Sequence, residues 1–148
     1  MKALVVYDSL YGNTEKIAKT IGGAISSEVK VLPVSQANPA ELKSLDLLIV
    51  GSPTQGGRAT KPIQAFLDKI PGTDLKGINV AAFDTRYASK WVRIFNYAAG
   101  RIADNLKDKG GNLVTPPEGF FVTGKEGPLK GEELERAAGW AKGFAGSK

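Results

Sequence analysis

The chain has 148 residues, 42% of them apolar and 24% charged, with a formal net charge of +5, values that fit one globular domain with a full core and exclude a disordered chain. It has no cysteine and no histidine, which excludes disulfides, thiol chemistry, the usual zinc sites, Ser-His-Asp catalysis and imidazole general bases. The basic residues are dispersed among acidic ones with no run of five or more, so a solvated surface with a basic bias is expected rather than a nucleic-acid interface.

In chain order, the first element is residues 2–7 (KALVVY), a short apolar, β-branched run of the kind that forms a strand buried on both faces. Residues 13–27 place Ile17, Ile21 and Ile25 four apart, a helical face. Residues 29–34 (VKVLPV) read as a second strand, which Pro33 confines to an edge or a strand end because it cannot donate to a ladder. About one helical turn is expected at 39–44. Residues 45–51 (LDLLIVG) form a third strand, central because it is almost continuously apolar. Ile63, Phe66, Leu67 and Ile70 then mark a helix, with Thr60 as its cap and Pro62 in its first turn.

Residues 77–83 (GINVAAF) are a fourth strand. A long helix carries Val92, Phe95, Ala99, Ile102 and Leu106 on one face and ends at 107–111 in basic residues and glycine. Residues 112–123 are a fifth strand interrupted by Pro116 and Pro117. Leu134, Ala137, Ala138, Ala141, Phe144 and Ala145 define a last helix, with Glu132 and Glu133 in its first turn. Five strands alternating with four clear helices, without linker or repeat, predict a single α/β domain over 1–148: a parallel sheet covered on both faces through right-handed crossovers. Apolar runs this short predict no membrane span, and with only Lys2 ahead of the first run no secretory signal is expected; the chain reads as cytoplasmic.

Ligands of such sheets sit beyond the carboxyl ends of the strands, where three loops fall: 8–14, 52–60 and 84–91. The first holds Ser9, Tyr11, Gly12, Asn13 and Thr14 with no Lys or Arg. A helix starting near Asn13 aims unpaired N–H groups and the positive end of its dipole at this turn, so hydroxyls, an amide and backbone donors make an uncharged cradle for a phosphate. Simple capping by Ser9 or Asn13 is the plainer alternative. The dinucleotide fingerprint is missing here, and the Walker-like string Gly119–Lys125 has Glu126 where Ser or Thr is needed and a strand-like middle. A phosphomonoester cofactor remains.

The string YDSLYGNTEKIA resembles the phosphate loop of the flavodoxin family, and VGSPTQGGRATKP resembles that family's second flavin-contacting loop. The resemblance runs over essentially the whole chain. It implies a three-layer α/β/α sandwich, a five-stranded parallel sheet of order 2-1-3-4-5, and a non-covalent FMN. On it, Ser9, Leu10, Tyr11, Gly12, Asn13 and Thr14 hold the phosphate. The ring lies between Ser52, Pro53, Thr54, Gln55, Gly56, Gly57 and Arg58 on one side and Asp84, Thr85, Arg86, Tyr87 and Trp91 on the other.

Tyr87 and Trp91 can each stack on a flavin, Tyr11 can cover another side, and Gly56 and Gly57 accept positive φ in the second loop. That loop lacks the aromatic residue many flavodoxins carry. Arg58, Lys61, Arg86, Lys90 and Arg93 give a basic rim, expected to favour an anionic reduced cofactor. The functions implied are a flavin electron carrier, a small FMN oxidoreductase of quinone-reductase type, or an interaction module that has lost its flavin. The expected partners are redox proteins, acidic if charge steers them, or a quinone-like acceptor, and neither nucleic acid nor membrane.

Overall fold

The computed structural model describes residues 1–25, 28–87 and 97–145. The elements are β1 (Lys2–Tyr7), α1 (Asn13–Ala24), β2 (Glu28–Pro33), β3 (Leu47–Pro53), α2 (Lys61–Asp68), β4 (Asn79–Tyr87), α3 (Ala98–Asp108), β5 (Asn112–Leu113), β6 (Glu118–Val122) and α4 (Glu133–Ala145). All sheet pairings are parallel, in the order β2-β1-β3-β4-β5, and β6 also pairs with β4. β5 takes the start of β4 (Asn79↔Asn112) and β6 its end (Phe83↔Glu118 to Tyr87↔Val122). They are the two halves of one fifth strand position, parted by the prolines as the sequence predicts.

Alternation along the strands builds two cores. Leu4, Val6, Leu48, Val50, Val80 and Ala82 meet α2 and α3 through Ile63, Phe66, Ile102 and Leu106. Val5, Tyr7, Ile49, Ala81 and Phe83 meet α1 and α4 through Ile17, Ile21, Ala137 and Ala141. On this second face Phe83, Phe120, Trp140 and Phe144 form a chain of edge-on rings with centroids 4.8–6.2 Å apart, the geometry aromatic quadrupoles favour. The three-layer sandwich follows. Among the described residues, no helix is long and apolar enough to cross a membrane.

Several boundaries differ from the sequence reading. α1 stops at Ala24, and Ile25 is already extended (φ −86°, ψ 132°). The turn expected at 39–44 is not helical; a single 3-10 turn falls earlier, at Val34–Gln36. Thr60 occupies the N-cap of α2 but makes no capping bond with its side chain. Glu132 lies outside α4 with φ +70°, and Leu134 is exposed, because Glu133 takes the inward position instead. The Glu133 carboxylate accepts the Phe121 N–H at 2.7 Å and pairs with Arg136 at 2.7 Å. Val92 and Phe95, expected on the long helix, lie outside the described residues.

The largest difference is β4, which runs four residues past its predicted end. Asp84 and Arg86 are charged, so the segment reads as loop. Residues two apart on a strand share a face, however, and here the two neutralise each other inside the sheet, while β3 and β6 supply backbone partners on both sides.

Candidate functional site

The carboxyl ends of β1, β3, β4 and β6 open into a cavity of about 410 Å³, within the range of about 300–1,000 Å³ usual for small-molecule sites. Its wall is lined by Ser9, Leu10, Tyr11, Asn13 and Thr14 from the first loop. The second contributes Pro53, Thr54, Gln55 and Gly56, and the end of β4 contributes Thr85, Arg86 and Tyr87. Twelve residues expected at the site from sequence therefore share one cavity.

The first loop is organised by the start of α1. Gly12, the N-cap, has φ +90°, a left-handed backbone that glycine adopts without steric cost. Ser9 Oγ accepts the N–H groups of Gly12 (3.1 Å) and Glu15 (3.3 Å), so Ser9 does cap the helix. Its own hydroxyl hydrogen stays free to donate. The amides of Asn13 and Thr14, at the first two helical positions, have no partner within the helix. Thr14 Oγ1 and Thr85 Oγ1 lie 2.8 Å apart. One proton serves that bond, which leaves the other hydroxyl able to donate outward.

The carboxylates nearest the turn are engaged elsewhere: Asp8 accepts Ser9 N–H at 3.0 Å, and Glu15 holds Lys19 at 3.0 Å and the Tyr7 hydroxyl at 3.2 Å. Lys19, then Tyr7, keeps Glu15 below the usual carboxylate range, while burial and Glu15 raise Tyr7. Among the described residues, no carboxylate lines the cavity.

The second loop closes as a tight turn. Gln55 and Arg58 exchange backbone hydrogen bonds of 2.8 and 3.0 Å, with Gly56 and Gly57 at φ +56° and +79° between them, as two-residue hairpins with two left-handed positions require. Arg101 Nε donates to Gly57 O at 3.0 Å, pinning the turn to α3. Thr54 Oγ1 accepts Ala98 N–H at 3.1 Å, which ties the start of the loop to the same helix.

Beneath the wall, Asp84 accepts Arg86 Nε and Nη2 at 2.7 and 2.8 Å and the Ala99 N–H at 2.9 Å. Burial pushes the Asp84 carboxyl up, while Arg86, the Ala99 N–H and the neighbouring Thr54 hydroxyl pull it back. Three donors converging on two oxygens hold it as the ionised partner of an always-charged guanidinium. The other face of Arg86 lies over the Tyr97 ring, 3.2 Å from its centroid.

At the mouth, Leu10 (50% exposed), Tyr11 (50%) and Tyr87 (55%) present apolar surface to solvent. They are three of the five large hydrophobic residues exposed among those described, and all three line this one cavity. Together they give the mouth of the cavity an apolar rim. An uncharged helix N-terminus on one side and exposed aromatic rings with backbone donors on the other suit a ligand that is part phosphate, part flat ring. The residues present fit FMN.

A family model described as flavodoxin matches residues 5–140. The chain belongs to the flavodoxin family. A flavodoxin of Synechocystis is 30% identical over 122 residues, spanning 79% of this chain and 68% of its own length. An uncharacterized protein of Methanocaldococcus jannaschii is 39% identical over 115 residues, 77% of this chain and 71% of that one. An NAD(P)H dehydrogenase (quinone) of Gluconacetobacter diazotrophicus is 26% identical over 60% of this chain and 56% of its own. Among solved structures, oxidised flavodoxin 1 of Bacillus cereus shares the fold with a TM-score of 0.82 at 22% identity, covering 97% of both chains. A flavodoxin from the Archaea gives 0.81 at 26% identity, covering 98% of this chain and 96% of that one.

The structure departs from the sequence expectation at several site positions. Asp84 is fully buried in β4 rather than in a loop, and it lies beneath the cavity wall instead of in it. Ser52 is also fully buried; its hydroxyl donates to Pro53 O at 2.8 Å and accepts Thr60 N–H at 3.0 Å. Gly12 and Gly57 support their turns without lining the cavity, and Arg58 lines a smaller neighbouring cleft of about 190 Å³ with Arg101. Arg86 adds no net charge to the basic rim, because Asp84 neutralises it. Trp91, Lys90 and Arg93 lie outside the described residues. Sequence reasoning missed Val122 and Lys125, which complete the wall. Lys125 stood in plain view within the Walker-like string, whose middle is indeed the strand β6.

Proposed function

We infer that this protein holds FMN non-covalently in the cavity and carries electrons between redox partners. The observation that carries the reading is the convergence of Leu10, Tyr11 and Tyr87, otherwise exposed, on a cavity that includes the uncharged N-terminus of α1. It sits outside the carboxyl ends of β1 and β3, where strand order reverses, the placement general to open parallel sheets and one for which the flavodoxin fold is itself an example.

Ser9, Tyr11, Asn13 and Thr14 would hold the phosphate through hydroxyls and helix-start amides. The 53–56 segment and Thr85–Tyr87 would flank the ring, with Tyr87 the stacking residue. When bound, the flavin supplies the one- and two-electron chemistry. The chain orients it and sets its electrostatic surroundings, with no side chain required as acid or base. Exposed Arg58, Lys61 and Arg101 beside the second loop, with the net charge of +5, favour an acidic partner by steering.

Titrating the purified chain with FMN tests the reading. Saturable, one-to-one quenching of flavin fluorescence and reversible reduction of the complex are expected; no binding would end it and leave an interaction module on the same fold. A second reading, an FMN-dependent oxidoreductase acting on a quinone, is favoured by the relative named NAD(P)H dehydrogenase (quinone). Rapid NAD(P)H oxidation that depends on added quinone would select it over the carrier.

A further inference from the structure

The phosphate end of this cavity is a neutral cradle of hydroxyls and amides, yet among the described residues its wall carries two cations, Arg86 and Lys125. Arg86 is cancelled by Asp84. Lys125, in the loop after β6, forms no ion pair among the described residues and is exposed. Its loop is fixed against the start of α1: Asn13 Nδ2 donates to Glu126 O at 3.0 Å, and a Cβ on Gly127 would stand 2.5 Å from that same Nδ2. Gly127, at φ +101°, is in the left-handed region that favours glycine, and the contact sets Lys125 on a cavity wall shared with Ser9, Asn13 and Thr14.

We propose that Lys125 is a phosphate-recognition residue, adding one positive charge to an otherwise uncharged cradle so that the cavity selects a phosphorylated flavin over its dephosphorylated form. The inference rests on the FMN reading and deepens it. An ammonium on a flexible stem reaches a dianion as a point charge without needing fork geometry. With no carboxylate in the wall among the described residues to compete, that attraction is felt by FMN and not by riboflavin.

The test compares FMN and riboflavin binding to the intact chain by flavin fluorescence, at low and high salt. Lys125→Ala is expected to weaken FMN by about tenfold, the scale of one charge-assisted contact, with riboflavin affinity unchanged. Lys125→Arg should restore FMN binding, and raising salt should weaken FMN in the wild type more than in Lys125→Ala. Equal FMN affinity in wild type and Lys125→Ala would overturn the proposal while leaving the FMN reading intact. A wild type that binds neither flavin would overturn both. Because Lys125 is exposed, far-ultraviolet circular dichroism should be identical in every variant, so a change in affinity reports recognition rather than unfolding.

Discussion

Arg86 and Asp84, two residues apart on β4, form a bidentate ion pair of 2.7 and 2.8 Å beneath the cavity wall, with the Asp84 side chain fully buried and that of Arg86 14% exposed. The pair also receives the Ala99 N–H at the start of α3. Strand, helix and cavity wall thus share one electrostatic anchor. Removing one partner strands a buried charge, whereas removing both does not. Asp84→Asn is therefore expected to destabilise the chain by about 3–5 kcal/mol, and the double variant Asp84→Asn/Arg86→Met to recover most of that loss. Urea unfolding followed by circular dichroism measures both; a double variant as unstable as the single one would show that the pair does not act as a unit.

Tyr87 bears on the ring rather than the phosphate. Tyr87→Ala should weaken FMN and riboflavin alike, by about 1–2 kcal/mol or roughly tenfold, and Tyr87→Phe should leave both near wild type. Fluorescence quenching gives the two affinities. Loss confined to FMN would place Tyr87 at the wrong end of the ligand.

Glu133 makes folding acid-sensitive. Its hydrogen bond to Arg136, with help from the Phe121 N–H, holds the carboxyl below its ordinary 4.5 against the opposing effect of burial. A folded-state pKa that is depressed contributes stability above the unfolded value, and that contribution is lost as pH falls through the folded one. The stability advantage of wild type over Glu133→Gln should thus be full at neutrality, begin to shrink near 4.5 and vanish at lower pH. Denaturant midpoints across that range test it, and a gap independent of pH would refute the linkage.

The Thr60 hydroxyl is buried without a hydrogen-bond partner among the described residues, although the residue stands at the N-cap of α2. A buried polar atom left unpaired costs about 1–3 kcal/mol. Thr60→Val keeps the shape and removes the orphan, so a gain of about 1 kcal/mol is expected. Thermal unfolding would register it as a higher Tm; a lower one would mean that the hydroxyl finds a partner in solution.

Much of this is legible in the sequence alone. The apolar runs of β1 and β3, the four-residue spacing of Ile17 and Ile21, and Gly12 ahead of Asn13 are local signals, and the structure builds an element on each, with β3 at Leu47–Pro53, two residues later than read. The end of β4 was illegible as sequence because its polarity argues for a loop. Only the mutual neutralisation of Asp84 and Arg86, with backbone partners from β3 and β6, makes it a strand. Leu134 reads as a core residue and is exposed, because the Arg136 and Phe121 contacts of Glu133 turn the helix the other way.

The sequence by itself determined the alternation of elements, the parallel sheet and the uncharged turn after the first strand, since each depends on the order of side chains along a few residues. Tertiary structure alone decided which polar groups meet: Lys125 reaches the cavity of Ser9 and Thr14 from more than a hundred residues away, and Asp84 is withdrawn from it. Short-range periodicity fixes secondary structure through local backbone sterics. The charge of a cavity is set by distances through space, which the chain settles only when the sheet closes.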